Sequence, residues 1–266
     1  MKIVFTGDNH VCFDDQCKAV THMMEAIRKE KPDLVCIAGD IGEILIYDDL
    51  SLVQKLFSIK PTLFVLGNHD LYSKEKYTPP QAMDKCLNIL QWGTPLQNSW
   101  SDTKTVYEQD ECLFLGTIGF PCFGHPEMIM PINYYDNNCP TIDGTYINLN
   151  GGWLQYTRPL MKAFKKKLQL VDKSTCKNVI IISHYPCYES QYKLNPSDDI
   201  SVYFYNYKLG LLIKEMAKKH PKKKFYSFAC HGHEYMVGQW IQETPNLTTY
   251  GLITAYNKQN YTTLEL

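Results

Sequence analysis

The sequence predicts an α/β fold in which buried parallel strands alternate with helices. The first observation is that three apolar runs in the first 70 residues are separated by segments whose apolar residues recur at helical spacing, which is typical of βα units. The second is that five apolar runs along the chain each end at polar side chains of metal-binding type. These polar groups occupy residues 7–10, 39–40, 67–70, 183–184 and 230–233. Because parallel strands end at one edge of a sheet, we expect the groups to converge.

The first 70 residues are predicted to contain three strands and two helices. In the first helix the apolar residues Ala19, Met23, Ala26 and Ile27 share one face, and Pro32 separates this helix from the next strand. The second helix has an apolar stripe of the same kind. The predicted order is a strand at 2–6, a helix at 15–29, a strand at 34–38, a helix at 49–58 and a strand at 63–66.

The middle of the chain adds antiparallel pairing and a long irregular segment. The prolines at 79–80 favour the start of a helix, which we predict to end near residue 92. Two strand patterns, at 104–109 and 112–116, lie close enough to form a hairpin-like pair, so we expect a mixed sheet. Residues 117–158 are rich in glycine, proline and aromatic side chains. A segment of this kind indicates a binding loop or lid, with a self-packed surface excursion as the alternative.

The second half is predicted to continue the alternation of helices and strands. Residues 158–170 form a helix whose lysine face is expected to be solvated; its lysines are Lys162, Lys165, Lys166 and Lys167. A second irregular segment, at 185–206, is expected to shape the substrate site together with 117–158. The remaining predictions are helix 207–220 and strands 179–183, 224–229, 236–241, 247–251 and 261–264. No repeat or linker divides the sequence, so we expect a single domain over 1–266.

Composition and charge argue against several classes of protein. The chain has 266 residues, of which 44% are hydrophobic and 21% charged, enough apolar residues for a large core. Because the formal net charge is −1, we do not expect nucleic acid as a partner. No apolar run approaches the roughly 20 residues that cross a bilayer, and the first residues do not resemble a signal peptide, so we expect a cytoplasmic protein without membrane association. The ten cysteines include no CxxC pair and are expected to be mostly reduced and buried.

Seven side chains in the converging groups are candidate metal ligands. They comprise four imidazoles, two carboxylates and one amide, and such nitrogen and oxygen ligands suit Mn, Fe, Zn or Co. Seven ligands are too many for one ion that must also accept a substrate, so we predict two divalent ions that share a bridging carboxylate. The seven are Asp8, His10, Asp40, Asn68, His184, His231 and His233.

The order of these motifs resembles that of the calcineurin-like metallophosphoesterase superfamily. The motifs are Asp8-x-His10, Gly39-Asp40, Gly67-Asn68-His69-Asp70, His184 and His231-x-His233, and they span most of the chain. The resemblance implies a four-layer αββα sandwich with two mixed β-sheets and a dinuclear site at the strand ends. It also implies hydrolysis of phosphate esters, in which a hydroxide between the two metals attacks phosphorus in line.

The resemblance also implies a role for each residue of the motifs. One metal is expected to be held by Asp8, His10 and His233, the other by Asn68, His184 and His231, and Asp40 is expected to bridge them. His69 is expected to be a general acid at the leaving group rather than a ligand. Glu43, three residues after Asp40, is expected to orient His69. Asp70 is expected to be a structural carboxylate.

The sequence departs from the superfamily pattern at two places. The protein Ser/Thr phosphatase branch carries an arginine in the motif after the bridging aspartate, whereas this chain has Ile41-Gly42-Glu43-Ile44. This argues against a protein phosphatase and favours slightly a phosphodiesterase, because a diester carries less negative charge to neutralise; a phosphomonoesterase is the alternative. In addition, Cys230 stands where the superfamily usually has glycine, and its thiol is expected to be sensitive to oxidation.

Two alternatives belong to other functional classes. A non-catalytic metal-binding or scaffold protein would share the fold, but the complete set of ligands argues against it. A nuclease or repair subunit would require basic grooves, which the net charge does not favour. We expect a small-molecule or other phosphoester substrate. The sequence carries no signal for the oligomeric state.

Overall fold

The computed structural model describes residues 1–11, 14–120, 153–193, 206–255 and 260–266. The helices in these ranges are α1 (Asp14–Glu30), α2 (Ser51–Phe57), α3 (Pro79–Ile89), α4 (Trp153–Leu168) and α5 (Tyr207–Lys219). The first six strands are β1 (Lys2–Thr6), β2 (Leu34–Ala38), β3 (Thr62–Val65), β4 (Thr94–Pro95), β5 (Tyr107–Gln109) and β6 (Cys112–Thr117). The last five are β7 (Asn178–Ser183), β8 (Lys224–Ala229), β9 (Trp240–Thr244), β10 (Leu247–Gly251) and β11 (Thr262–Glu265).

The strands form two mixed sheets, as predicted. The first sheet has the order β11-β1-β2-β3-β4, and the second has the order β5-β6-β7-β8-β10-β9. In the first sheet only β11 is antiparallel to its neighbour. In the second sheet β6, β7, β8 and β10 are parallel, and the antiparallel strands β5 and β9 lie at the two edges. The carboxyl ends of the parallel strands therefore lie along one edge of each sheet.

Three apolar layers separate the sheets and helices, which confirms the predicted αββα arrangement. Alternate residues of the strands point to opposite faces. On β1, Ile3 and Phe5 pack into the layer between the sheets, while Val4 faces the layer under α1, α2 and α3. On β7, Ile180 and Ile182 face the layer between the sheets, while the alternate residues of that strand pack under α4 and α5. Both faces of the central strands are thus buried, which is why these strands are mainly apolar, whereas the edge strands β5, β9 and β11 carry polar residues.

Several element boundaries differ from the prediction, two of them by four residues or more. Helix α4 begins at Trp153 rather than at 158, and it continues through Pro159, which lies inside the helix. The strand predicted at 236–241 is wrong at its start: β9 begins at Trp240, because Gly238 adopts a left-handed φ of 71° that interrupts the extended backbone. The two-residue strand β4 was too short for any sequence pattern to indicate.

The prediction that the lysine face of α4 is solvated is wrong for Lys167. Its side chain is 1% exposed. The Nζ atom donates hydrogen bonds to the carbonyls of Leu96 and Gly116, at 2.7 and 3.1 Å, and lies 2.7 Å from Asp102 Oδ2. Asp102 also accepts hydrogen bonds from the backbone amides of Lys104 and Thr105. The buried ammonium therefore connects α4 to the segment that follows β4 and to the carboxyl end of strand β6.

The two predicted irregular segments lie largely outside the described residues. Of the segment 117–158 the structure describes 117–120 and 153–158, and of the segment 185–206 it describes 185–193 and 206. The seven cysteines within the described ranges form no disulfide, and six of them are buried, which agrees with the prediction. In the described part of the chain, none of the helices combines the length and hydrophobicity needed to span a bilayer.

Candidate metal centre

The predicted ligands lie on five loops that follow the carboxyl ends of β1, β2, β3, β7 and β8. Asp8 and Asp40 each come two residues after their strand, and His184 directly follows Ser183, the last residue of β7. Because β1, β2 and β3 are adjacent in the first sheet and β7 and β8 in the second, the five loops meet where the two sheets face each other. The convergence expected from the sequence is therefore present.

Five of the site residues have left-handed backbone conformations. Nine non-glycine residues in the described ranges have positive φ, and five of these belong to the site. Their φ angles are 49° for Asp8, 42° for His10, 47° for Asp40, 74° for His231 and 46° for His233. Each such conformation costs on the order of 1–2 kcal/mol for a residue with a Cβ. The surrounding contacts must therefore hold these loops in place.

Backbone hydrogen bonds supply part of that support. The amide of Asp8 donates to the carbonyl of Gly39 at 3.0 Å, and the amide of His10 donates to the carbonyl of Asp40 at 2.9 Å. The amide of His231 lies 3.0 Å from each carboxylate oxygen of Asp8. The loops after β1, β2 and β8 are thereby fixed relative to one another by the protein alone.

A second brace comes from Asp70, which confirms its predicted structural role. Its Oδ1 accepts a hydrogen bond from the amide of Gly42 at 2.9 Å, and its Oδ2 accepts one from the amide of Gly67 at 2.8 Å. These bonds connect the loops that carry Asp40 and Asn68. The loops approach so closely that a Cβ at Gly67 would lie 2.1 Å from Asp40 Oδ1, so this position requires glycine.

The ligand set predicted for one metal converges on the Nε2 atom of His184. This atom lies 2.9 Å from Asn68 Oδ1, 3.1 Å from His231 Nδ1 and 3.4 Å from Asp40 Oδ2. The Nδ1 atom of His184 faces the carbonyl of Ala38 at 2.9 Å. A proton on Nδ1 would be held by that carbonyl, which leaves the Nε2 lone pair directed into the site.

The set predicted for the other metal also lies beside Asp40. One ligand atom from each of Asp8, His10 and His233 lies within 4.8 Å of the others. The rings of His10 and His233 stack, with centroids 5.3 Å apart, and His10 Nε2 lies 3.7 Å from Asp40 Oδ2. The same carboxylate oxygen therefore faces both sets of ligands.

The donor atoms fit two divalent cations. Asp40 is buried, and its Oδ2 has no hydrogen-bond partner among the described residues, although it is surrounded by imidazole nitrogens. A buried carboxylate oxygen without a donor is costly unless a cation satisfies it. The mixed nitrogen and oxygen ligands suit Mn, Fe, Zn or Co, as the sequence predicts.

The electrostatics keep two of the four candidate imidazoles neutral and so ready to bind metal. Burial lowers the pKa of His10 to about 3 despite the attraction of Asp40, and burial with neighbouring His184 holds the pKa of His231 well below its usual range. Burial opposes ionisation of Asp40, but His184 and His69 outweigh it, so the pKa of this carboxyl lies well below its usual range. For His184, burial also opposes the charge, yet Asp40 raises the pKa to about 9.

His69 and Glu43 lie at the rim of this cluster. Glu43 Oε1 is 3.5 Å from His69 Nδ1, and both side chains are largely buried. The amide of His69 donates to Asp40 Oδ1 at 2.9 Å, so the residue is tied to the centre of the site. A ring nitrogen of His69 also lies within 4.8 Å of ligand atoms from His10 and Asp40. Distance alone therefore does not separate it from the ligands, and its role as an acid stays a prediction.

Sequence reasoning missed several residues that contact the predicted ligands, among them Thr254 and Tyr185. Thr254 is 1% exposed; its hydroxyl donates to Asp8 Oδ2 at 3.0 Å and lies 3.4 Å from His233 Nδ1. Tyr185 is also 1% exposed, and its ring lies 4.0 Å from that of His231. Thr254 follows β10 by three residues, so the strand-end pattern that indicated the ligands could also have indicated this threonine.

A family comparison agrees with this geometry. The model of the calcineurin-like phosphoesterase family matches residues 1–235 of the chain. Among curated proteins, none matches the chain.

Solved structures with the same fold have low sequence identity to the chain. A phosphopantetheinyl hydrolase from Mycobacterium tuberculosis has a TM-score of 0.62 at 10% identity, over 95% of this chain and 89% of that one. A dimetal phosphatase from Danio rerio has a TM-score of 0.61 at 14% identity, over 99% and 91%. GAP50, the anchor in the inner membrane complex of Plasmodium, has a TM-score of 0.51 at 13% identity, over 95% and 71%. At these identities the likeness concerns the fold alone.

Proposed function

The chain belongs to the calcineurin-like phosphoesterase family, and from that premise we propose that it is a dinuclear-metal-dependent hydrolase of phosphate esters, with a preference for phosphodiesters. The observation that supports this most directly is the position of Asp40 Oδ2, which lies 3.4 Å from His184 Nε2 and 3.7 Å from His10 Nε2. One buried carboxylate oxygen between two sets of ligands is what a pair of bridged cations requires.

In this proposal the side chains divide between two cations. Asp8, His10 and His233 hold the first, and Asn68, His184 and His231 hold the second, with Asp40 shared. When bound, such a pair of cations lowers the pKa of the attacking water and neutralises charge on the phosphoryl oxygens. The hydrogen bonds from His231 and Thr254 to Asp8 and from His69 to Asp40 keep the carboxylates oriented toward the cations.

His69 is proposed to supply the proton that the leaving alcohol needs. Its Nδ1 faces Glu43 Oε1 at 3.5 Å, and a carboxylate at this position stabilises the protonated imidazole and fixes its orientation. The other ring nitrogen can then donate to the oxygen of the leaving group. The hydrogen bond from its backbone amide to Asp40 holds the residue beside the proposed metal centre.

The preference for diesters rests on the positions of the arginines of this chain. Its only arginines are Arg28 and Arg158, and both are exposed on helices α1 and α4. Without a guanidinium clamp, phosphoryl charge is neutralised mainly by the cations, which favours a substrate with one negative charge. A phosphomonoesterase is the second candidate, since the structurally similar protein from Danio rerio is described as a dimetal phosphatase.

A non-catalytic scaffold is the alternative of a different class, since GAP50 shares the fold and is described as an anchor. Measurement of turnover distinguishes the hydrolase from the scaffold. Metal-stripped protein would be refilled with Mn, Fe, Zn or Co and assayed with bis-p-nitrophenyl phosphate and p-nitrophenyl phosphate, with Asp40→Asn as the control. We expect metal-dependent turnover that is absent in the control and faster with the diester. Bound metal without turnover of either ester would favour the scaffold, and absence of metal binding would overturn the proposal.

We also propose the cytoplasm as the location, in line with the cysteines: all seven that the structure describes are free thiols.

A further inference from the structure

Thr254 is held beside the candidate metal centre by the strand that precedes it. Strand β10 runs parallel to β8 in the second sheet, with Gly251 opposite Ala229. The amide of Leu252 donates to the carbonyl of Ala229 at 2.9 Å, so the pairing continues one residue past the end of β10. Because parallel strands end at the same edge of a sheet, Thr254 lies beside the loop after β8, which carries His233.

The hydroxyl of Thr254 joins two proposed ligands of the first cation. Thr254 is buried, and its Oγ1 lies 3.0 Å from Asp8 Oδ2 and 3.4 Å from His233 Nδ1. A hydroxyl has one hydrogen, so it can donate to only one of these two atoms. Hydrogen bonds to a carboxylate are about twice as strong as those between neutral groups. The hydrogen therefore points to Asp8, and Oγ1 accepts a hydrogen bond from Nδ1 of His233.

This arrangement fixes the tautomer of His233. When Oγ1 of Thr254 accepts a hydrogen bond, Nδ1 carries the ring proton, and Nε2 is the nitrogen that can bind a cation. The same arrangement occurs at His184, whose Nδ1 faces the carbonyl of Ala38 at 2.9 Å. The hydroxyl of Thr254 thus has the role at His233 that a backbone carbonyl has at His184. Such partners set the orientation and the basicity of a ligating imidazole.

The hydrogen bond from the amide of His231 does not replace that of Thr254. This amide lies 3.0 Å from both carboxylate oxygens of Asp8, so it holds the position of the carboxylate without distinguishing its two oxygens. The hydroxyl of Thr254 contacts Oδ2, which fixes the rotation of the carboxylate. Among the described residues, the hydroxyl contacts no ligand of the second cation. Its removal should therefore affect the two cations unequally.

We propose that Thr254 is a positioning residue that holds Asp8 and His233 as one unit, and that its hydroxyl is required for tight binding of the first cation but not of the second. The inference rests on the proposed hydrolase function and extends it, because Thr254 lies outside the motifs that carry the ligands. Loss of a residue that hydrogen-bonds to a metal ligand costs about 10–100-fold in metal affinity. Thr254 contacts two ligands, so the loss should lie near the upper end of this range.

Binding of Mn²⁺ tests the inference without any need for turnover. Mn²⁺ would be titrated into metal-stripped protein by isothermal titration calorimetry. EPR spectra would be recorded with two equivalents, because two adjacent Mn²⁺ ions give a spin-coupled spectrum and a single ion does not. We expect Thr254→Val to bind one ion as tightly as the parent and the other about 100-fold more weakly, with loss of the coupled signal. Thr254→Ser, which keeps the hydroxyl, should restore both.

The matched control is Thr249→Val, which makes the same change elsewhere in the same segment. Thr249 is buried on β10, and its hydroxyl has no hydrogen-bond partner among the described residues, so this variant should bind both ions as the parent does. Unchanged binding of both ions in Thr254→Val, equal weakening of both ions, or the same effect in Thr249→Val would overturn the inference and leave the hydrolase proposal intact.

Absence of metal binding by the parent would overturn the hydrolase proposal instead, and the tautomer of His233 would then test the role of Thr254. Long-range ¹H–¹⁵N NMR spectra of metal-free protein labelled with ¹⁵N-histidine, recorded at alkaline pH, distinguish the two tautomers, and His233→Gln assigns the signals. We expect Nδ1–H at His233 in the parent and in Thr249→Val, and its loss in Thr254→Val. The same tautomer in all three proteins would overturn the inference.

Discussion

The thiol sulfur of Cys230 lies 3.3 Å from Nδ1 of His184, and both atoms face the carbonyl of Ala38. Cys230 is fully buried, and burial raises the pKa of its thiol well above the usual range. A protonated, inaccessible thiol is a poor nucleophile. The residue that the sequence suggested as sensitive to oxidation is thus a packing and hydrogen-bonding partner beside a proposed ligand.

We therefore expect Cys230 to resist alkylation and oxidation in the folded protein. Cys17, which is partly exposed, provides an internal control. Treatment with iodoacetamide followed by peptide mapping should label Cys17 first and Cys230 only after unfolding in urea. Labelling of both cysteines at similar rates in the native protein would contradict this account.

Asp40→Asn should disrupt the proposed metal centre without unfolding the protein. The amide oxygen can still accept the hydrogen bond from the amide of His69, but the negative charge between His10 and His184 is lost. Loss of a residue that hydrogen-bonds to a metal ligand costs about 10–100-fold in metal affinity. Loss of a ligand shared by both metals should therefore cost at least about 100-fold in metal affinity. Calorimetric metal titration measures this, with Asp84→Asn as the control for charge removal. Retained stoichiometry and affinity in Asp40→Asn would show that the carboxylate does not bridge.

His69→Asn should reduce turnover in a manner that depends on the leaving group. For alkyl esters, whose oxygen requires a proton, we expect kcat to fall about 10²- to 10⁴-fold; for nitrophenyl esters the loss should be much smaller. Glu43→Gln should show the same trend with an effect of about 10-fold. A plot of log kcat against leaving-group pKa should steepen in both variants. An equal loss for all esters, together with a loss of bound metal, would make His69 a ligand.

The buried pair of Lys167 and Asp102 should dominate the stability of the region around α4. Asp102→Asn leaves the ammonium of Lys167 without its carboxylate, and we expect a loss of about 3–5 kcal/mol in the free energy of unfolding. Lys167→Met should cost less, because the carboxylate of Asp102 keeps three backbone donors. Urea unfolding measures both variants. Lys165→Met and Lys166→Met, on the exposed face of α4, should stay within about 0.5 kcal/mol of the parent.

The same pair predicts a dependence of stability on pH. Burial opposes ionisation of Asp102, but Lys167 and the backbone amides of Lys104 and Thr105 outweigh it and lower its pKa to about 2. A carboxyl with a pKa below that of the unfolded chain, near 3.9, stabilises the fold above that value, and the contribution is lost as pH falls toward about 2. Between pH 5 and 3 the free energy of unfolding should therefore fall less steeply in Asp102→Asn than in the parent. If the free energy of unfolding fell equally steeply with pH in both proteins, a group other than Asp102 would account for the pH dependence.

The sequence was most informative at the ends of the buried parallel strands that carry the site. An apolar run followed by ligand-type side chains correctly indicated β1, β2, β3, β7 and β8 and the convergence of their loops, because both strand burial and ligand chemistry restrict residue type. The positions of Asp8, Asp40 and His184 follow directly from those strand ends.

What the sequence did not reveal depends on contacts between distant segments. Lys167 resembles its exposed neighbours on α4 until Asp102 and two carbonyls, 51 to 71 residues away in sequence, are brought to it. The hydrogen bonds that join Asp70 to the Gly42 loop and to Cys86 on α3 likewise connect segments that are distant in the sequence. Neither contact leaves a periodic trace in the sequence.

The left-handed conformations of Asp8, His10, Asp40, His231 and His233 have a consequence for protein design. A procedure that optimises stability alone would favour glycine or asparagine at these positions, since they adopt such conformations at lower cost. It would thereby recover the sandwich and erase five of the seven proposed ligands. For this fold, redesign of the remaining residues is compatible with the proposed function only if these five residues are kept, although the backbone conformation of each is unfavourable on its own.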